Sequence, residues 1–285
     1  MLIRDKLAGG PTLSFELFPP RTELGFWSLR DTIGSLRPLS PDFVSVTCSP
    51  VRHGALTVEL TARIHEDIGL ESMAHLTCVG FDRGLLTESL DELRCRGVRN
   101  ILALRGDIPP SQHKMAFGHA ADLVAFIRQR HPDTCIGAAC HPETHPEAGG
   151  AEQDLDNLKR KVDAGADFLI TQLFFDNADF LRFRDKAGKA GIVVPIIAGV
   201  MPIVDASQIK KFTGMCGASM PADLLARIDA VGDDAEAVRH IGTFHATQQC
   251  LDLLGEGVAG LHFYTLNKST ATRVIFQYIR HEPTR

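Results

Sequence analysis

Short apolar runs with β-branched or aromatic character alternate along the chain with longer segments whose apolar residues recur at helical spacing. The runs are Leu13–Phe18, Phe43–Thr47, Met73–Thr77, Ile101–Leu104, Cys135–Ala139, Phe168–Thr171, Val194–Ala198 and Leu261–Thr265, and each predicts a short strand. Between them, Leu56–Ile68, Leu85–Arg96, Ala120–Arg130, Ala151–Ala164 and Ala178–Ala190 predict amphipathic helices. In Ala151–Ala164, Leu155, Leu158 and Val162 share one face, while Lys159 and Lys161 lie elsewhere on the surface. Gly165 and Gly191 follow helix ends, where a left-handed cap is wanted. The first seven strands recur about every 30 residues and the eighth arrives late. Pro221–Ile228 and Ala235–Leu254 predict extra helices in that gap, and Ser269–Arg280 predicts a closing helix. Eight strand–helix units in order predict a single α/β domain over residues 1–285, a (β/α)8 TIM barrel rather than a doubly wound sheet. No Gly-x-Gly-x-x-Gly follows any strand, which weighs further against a Rossmann fold.

Composition narrows the class. The 285 residues exceed the usual single domain, yet α/β barrels reach this length. A hydrophobic fraction of 44% with 16 Phe can fill a large core. A formal net charge of -5 argues against nucleic acid or an acidic membrane surface as partner. Met1–Lys6 lacks the apolar run of a signal peptide, and no stretch approaches the ~20 apolar residues of a membrane span. The seven Cys are scattered without a Cys-x-x-Cys pair, as expected of reduced thiols in a cytoplasmic protein.

A (β/α)8 barrel places its active site at the carboxyl ends of the strands. Polar residues predicted there are Glu16, Thr47, His75 with Thr77, Arg105-Gly106-Asp107, His141 with His145, Gln172, and Asn267-Lys268. Glu16 is the misfit, a carboxylate among Phe15, Leu17 and Phe18 just before Pro19 and Pro20 end the strand. It reads either as a general acid of raised pKa or as the partner of a buried Arg or Lys. Arg105 can hold a phosphate or carboxylate, or can pair with Asp107. His141 and His145 invite a metal reading, but Pro142 and Pro146 disfavour the helix that would put both on one face. The preferred reading is a rigid loop offering polar groups to a ligand, with no metal. Beyond Gly149-Gly150, a helix carries Asp154, Asn157, Arg160 and Lys161, and its side cations and initial amides can meet a pyrophosphate. Lys159-Arg160-Lys161 alone reads equally as a solvated patch.

From about Leu13 to Tyr278 the chain resembles the methylenetetrahydrofolate reductases of the bacterial flavoprotein type. The resemblance is carried by Ser14-Phe15-Glu16-Leu17-Phe18-Pro19-Pro20, Phe43–Thr47, Ala74–Cys78, Ala103–Pro110, His145–Ala148, Asn157–Ala166, Ile170–Asp176 and His262–Lys268, in this order and spacing. It implies FAD bound without a Rossmann motif, NADH or NADPH as co-substrate, and ping-pong reduction of 5,10-methylenetetrahydrofolate to 5-methyltetrahydrofolate. It makes Glu16 the general acid that opens the methylene bridge, and places Asp107 at the flavin's pyrimidine end and the pterin. Thr47, His75, Arg105, Gly106, Ala120, His145, Ala148, Asp154, Asn157, Arg160 and Lys161 match flavin contacts. Gln172, Gln208, Phe212 and Lys268 fall where the family contacts substrate. Cys48 and His141 stand at cofactor-side positions that are commonly Tyr, and Lys268 where some members carry Arg. A homo-oligomer is also implied. A (β/α)8 aldolase or pterin methyltransferase is held open only by Lys268, since no strand-end Lys suited to a Schiff base appears, and two closer rival readings remain. One is a flavin-free methylene-tetrahydropterin reductase taking hydride directly from the nicotinamide. The other is a catalytically silent folate-binding subunit.

Overall fold

The computed structural model describes residues 1–20, 22–48, 54–108, 115–268 and 270–281. The segment after Cys48 and the Pro109-Pro110 end of the Arg105 motif lie outside them. Eight strands close into an all-parallel barrel in chain order. They are β1 (Thr12–Leu17), β2 (Phe43–Val46), β3 (Ser72–Thr77), β4 (Asn100–Leu104), β5 (Cys135–Cys140), β6 (Phe168–Thr171), β7 (Ile196–Val200) and β8 (Gly260–Tyr264). The register sets Glu16 beside Ser45 on one neighbour and Tyr264 on the other.

The predicted helices form as α3 (Ala55–Arg63), α4 (Arg83–Cys95), α5 (Ala120–Arg130), α6 (Ala151–Asp163) and α7 (Asn177–Lys189). The late insertion holds α9 (Ala222–Val231) and α10 (Ala235–Gly255), and α11 (Thr270–His281) ends the described chain. Three α-helices among the described residues fall outside the segments named from periodicity: α1 (Ile3–Leu7), α2 (Glu23–Leu36) and α8 (Ala206–Cys216). α2 carries Leu24, Phe26 and Trp27 on its exposed first turns, which blurs its amphipathic stripe. β7 begins two residues later than the apolar run predicts, because Pro195 has no N–H to give a ladder.

Strand alternation divides the core in two. Outward-facing Phe15 and Leu17 pack beneath the helices with Leu29 and Ile33 of α2 and Phe276 of α11. Inward-facing Phe43, Met73, Leu102, Cys135, Phe168 and Ile197 fill the amino-terminal end of the barrel, and Ile3 of α1 plugs it. Above that apolar layer, Ser14, Ser45 and His262 form a buried polar floor, with the His262 ring stacked on Phe43. The seven cysteines are all free thiols. No helix among the described residues is long and apolar enough to cross a membrane.

Candidate active site

One cavity of about 1390 Å³ opens at the carboxyl ends of the strands. Its depth is set by the polar sector of β1, β3 and β8. The carboxylate of Glu16, whose side chain is 10% exposed, lies 3.7 Å from His75 Nε2 and 3.9 Å from His262 Nε2. The apolar neighbours of Glu16 in sequence, Phe15 and Leu17, point to the other side of the sheet, so its surroundings are histidines rather than Phe and Leu. Neither a Lys nor an Arg lies within 4.0 Å of it among the described residues, which removes the buried cation-pair reading.

The two histidines differ. Both ring nitrogens of His262 are engaged, Nδ1 with Ser14 Oγ at 2.8 Å and Nε2 with Ser45 Oγ at 3.2 Å. Ser14 Oγ also reaches the Leu261 carbonyl at 3.3 Å, so the network is satisfied by a His262 that donates from Nδ1 and accepts at Nε2. His75 Nε2 is buried with no hydrogen-bond partner and faces Glu16. Burial pushes the His75 pKa down to about 4, with the Glu16 charge opposing the shift. Burial likewise takes His141 down to about 3, helped by neighbouring His145 and Lys161.

These depressed values have a consequence for stability. Both histidines stay neutral in the fold but titrate near 6.5 when exposed, so unfolding takes up protons between those limits. Their contribution is complete above pH 6.5 and is lost as pH falls toward about 4. The melting temperature should therefore drop from about pH 7 to about pH 5, and His75→Gln should flatten that slope. An unaltered slope in the variant would place the proton uptake elsewhere.

The cations lining the cavity are Arg105, just after β4, and Arg160 and Lys161 on α6, with Asp107, Glu147 and Asp154 among them. Arg105 pairs with Glu147, Nη1 to Oε2 at 2.6 Å and Nη2 to Oε1 at 3.0 Å, rather than with Asp107. Asp107 is exposed at the mouth. Lys161 donates to the Ala139 carbonyl at 2.8 Å and has no carboxylate within 4.0 Å among the described residues. Burial draws its pKa below the usual lysine value. α6 starts at Gly150 with no side-chain cap, leaving its first amides free beside Ala148, Gln153 and Asp154 on the cavity wall. His141 and His145 do meet, ring centroids 4.5 Å apart and edge to face, although the segment is not helical. The turn at Thr144, with φ of 83°, brings them together. No group of three or more His, Cys, Asp or Glu among the described residues could hold a metal.

Of the predicted site residues, Glu16, Thr47, Cys48, His75, Arg105, Gly106, Asp107, Ala120, His141, His145, Ala148, Asp154, Asn157, Arg160, Lys161, Gln172 and Phe212 all line this cavity. Gln208 and Lys268 do not. Gln208 sits in the first turn of α8, its N–H donating to Asp205, and Lys268 is exposed near the same aspartate. Asn267, expected among the strand-end chemistry, instead locks the end of β1 by exchanging hydrogen bonds with the Phe18 backbone at 2.8 and 2.9 Å. Sequence reasoning did not single out Phe18, His119, His262 or Tyr264, which also line the cavity. For the last two the signal was present: alternation along β8 from Gly260 turns His262 and Tyr264 inward. Tyr264 donates to the Thr171 carbonyl at 2.6 Å, and burial raises its phenol well above the ordinary value.

A closed parallel barrel with a large cavity at its carboxyl face, where Glu16, His75, Arg105 and Lys161 meet an apolar lining, places the chain among the (β/α)8 enzymes. The methylenetetrahydrofolate reductase family model matches residues 2–280. The chain is 41% identical over 276 residues to the 5,10-methylenetetrahydrofolate reductase of Escherichia coli, covering 95% of this chain and 91% of that protein. It is 38% identical over 275 residues to methylenetetrahydrofolate reductase (NADH) 1 of Zea mays, covering 91% of this chain. The match spans 46% of the maize protein, so the chain corresponds to about half the length of that relative. A protein from Clostridium thermocellum that binds two copies of 5-methyl-5,6,7,8-tetrahydrofolic acid shares the fold, with a TM-score of 0.69 at 15% identity over 98% of this chain and 99% of that one. The chain belongs to the methylenetetrahydrofolate reductase family.

Proposed function

We propose that the protein reduces 5,10-methylenetetrahydrofolate to 5-methyltetrahydrofolate with NADH or NADPH, through bound FAD and in ping-pong order. The observation that carries the reading is one cavity lined both by Glu16, beside His75, and by the cations Arg105, Arg160 and Lys161. Its volume exceeds the roughly 300–1,000 Å³ of a site for one ligand, leaving room for a dinucleotide and a second planar substrate. The residues suit FAD. Lys161 is a cation without a carboxylate partner among the described residues, and the uncapped start of α6, about 15 Å away along the helix, offers free amides, so the two can serve different parts of a dinucleotide. Asp154 and Asn157 on the same helix face offer polar groups to a ribose.

FAD bound there would carry hydride from the nicotinamide to the folate. The chain itself binds, orients and moves a proton. Glu16 delivers a proton from its carboxyl oxygen to the folate ring nitrogen as the methylene bridge opens to an iminium. His75 and Tyr264 close off the space around that carboxyl from bulk water. Gln172, whose own Oε1 takes the Leu173 N–H at 2.9 Å, presents its amide nitrogen to the pterin and, in the other half-reaction, to the nicotinamide. Asp107 at the mouth places negative charge beside the pterin and flavin, which disfavours an anionic reduced flavin.

The purified protein is expected to be yellow, with one FAD per chain released on denaturation, and to oxidise NADH or NADPH when methylenetetrahydrofolate is supplied. A colourless protein with the same turnover would favour direct hydride transfer from the nicotinamide. A yellow protein without turnover would favour the silent folate-binding reading.

A further inference from the structure

Glu143, in the loop between β5 and α6, has no part in the site described so far. Its Oε2 accepts the Ser219 backbone N–H at 2.9 Å and also the Ser219 hydroxyl. Its Oε1 is buried without a hydrogen-bond partner. Ser219 lies in the turn between α8 and α9. Two residues earlier Gly217 caps α8 with φ of 71°, and a Cβ at that position would stand 3.1 Å from Pro146 Cγ. The β5–α6 loop is thus clasped to the end of α8 at two points, one polar and one by close packing.

The two ends of α8 are held differently. Its first half is anchored by Ile209, buried among Leu224, Ile228 and Val238, and by the Asp205 cap. Its second half turns Phe212, Met215 and Cys216 to the cavity, and Met215 is 62% exposed. That half is held by partly buried Phe212 and Cys216 against the same apolar cluster, and the clasp adds a polar attachment at its end. On the loop side, His145 has separate anchors: its N–H donates to Asp154 Oδ2 at 2.9 Å, and its Nδ1 accepts the Glu147 N–H at 3.0 Å. Thr144, between the two attachments, is a β-branched residue at positive φ, a conformation that persists only where its surroundings impose it.

We propose that Glu143 is a positioning residue which, through Ser219, sets where the Phe212 wall of the cavity stands and so tunes the site for the pterin of a reduced folate. This rests on the reaction proposed above. The wall near His145, which matches a flavin contact, keeps its own hydrogen bonds, so the flavin's seat is not coupled to the clasp.

The test uses the full-length, flavin-loaded protein. Glu143→Ala should raise KM for methylenetetrahydrofolate by about tenfold while kcat and the rate of flavin reduction by the nicotinamide stay within about twofold. Glu143→Gln keeps an acceptor oxygen for Ser219 and should recover most of the lost affinity. Ser219→Ala should add nothing further in the Glu143→Ala background, because the clasp is already open. If Glu143→Ala does not fold, Ser219→Ala alone should still raise that KM by about two- to threefold. An active wild type whose KM is unmoved in these variants overturns the clasp. So does an equal loss in both half-reactions with no rescue by Gln, which marks a purely structural contact. A wild type that does not reduce methylenetetrahydrofolate overturns the proposed reaction, and with it the ligand named here.

Discussion

Glu16→Gln should leave flavin reduction by the nicotinamide near the wild-type rate and lower folate reduction by about 10²–10⁴-fold, the range supplied by general-acid catalysis. The glutamine amide fills the same volume and cannot give up a proton in the same way. The geometry makes the loss specific. No Lys or Arg stands within 4.0 Å of the carboxylate among the described residues, so the substitution strands no cation. The nearest charged-capable groups, His75 and His262, lie at 3.7 and 3.9 Å, beyond hydrogen-bond length, and His262 already has Ser14 and Ser45. The fold should therefore tolerate the change. Stopped-flow traces of the two half-reactions provide the measurement. Equal slowing of both would mean that Glu16 shapes the cavity floor instead of supplying the proton.

The second large effect is expected at Gly199, near the carboxyl end of β7. A Cβ built there collides with the Thr171 carbonyl and lies 2.7 Å and 2.8 Å from the ring edge and hydroxyl of Tyr264. Those two groups are hydrogen-bonded to each other, and the Gly199 N–H donates to Thr171 Oγ1 at 2.8 Å. Only a residue without a side chain lets Tyr264 cross the barrel interior to reach β6. Gly199→Ala should cost about 2–3 kcal/mol from overpacking, lowering the melting temperature by about 3–5 °C. Since Tyr264 lines the cavity, the folate half-reaction should slow as well. A calorimetric scan that matches the wild type would show that β7 can shift aside and that the close approach is not a constraint.

Much of the barrel was legible because its signal is local. Eight apolar runs at near-regular spacing mark strands, and Leu155, Leu158 and Val162 mark a helix face, since burial acts on each segment with its own period. α2 was less legible because Leu24, Phe26 and Trp27 are exposed, and an apolar residue in water looks the same in sequence as one in the core. α8 was less legible because Phe212, Met215 and Cys216 of its second half line a cavity, and Ile209 is its one fully buried residue.

The site divides along the same line. The sequence by itself determined which residue types stand at the strand ends, because alternation and the following turns fix them: Glu16 before two prolines, Arg105-Gly106-Asp107 after β4, Gln172 after β6. Only the tertiary structure decided their partners. Arg105 chose Glu147 over the nearer-in-sequence Asp107, His141 and His145 met through a turn at Thr144, Asn267 served the β1 backbone, and Gln208 and Lys268 stayed off the cavity wall. Partnership depends on distances between residues far apart in the chain, set by barrel closure and by the register of β1 against β8. No local pattern encodes those distances, so the neighbours of Glu16 proved to be histidines from β3 and β8 rather than the aromatic residues beside it in the sequence.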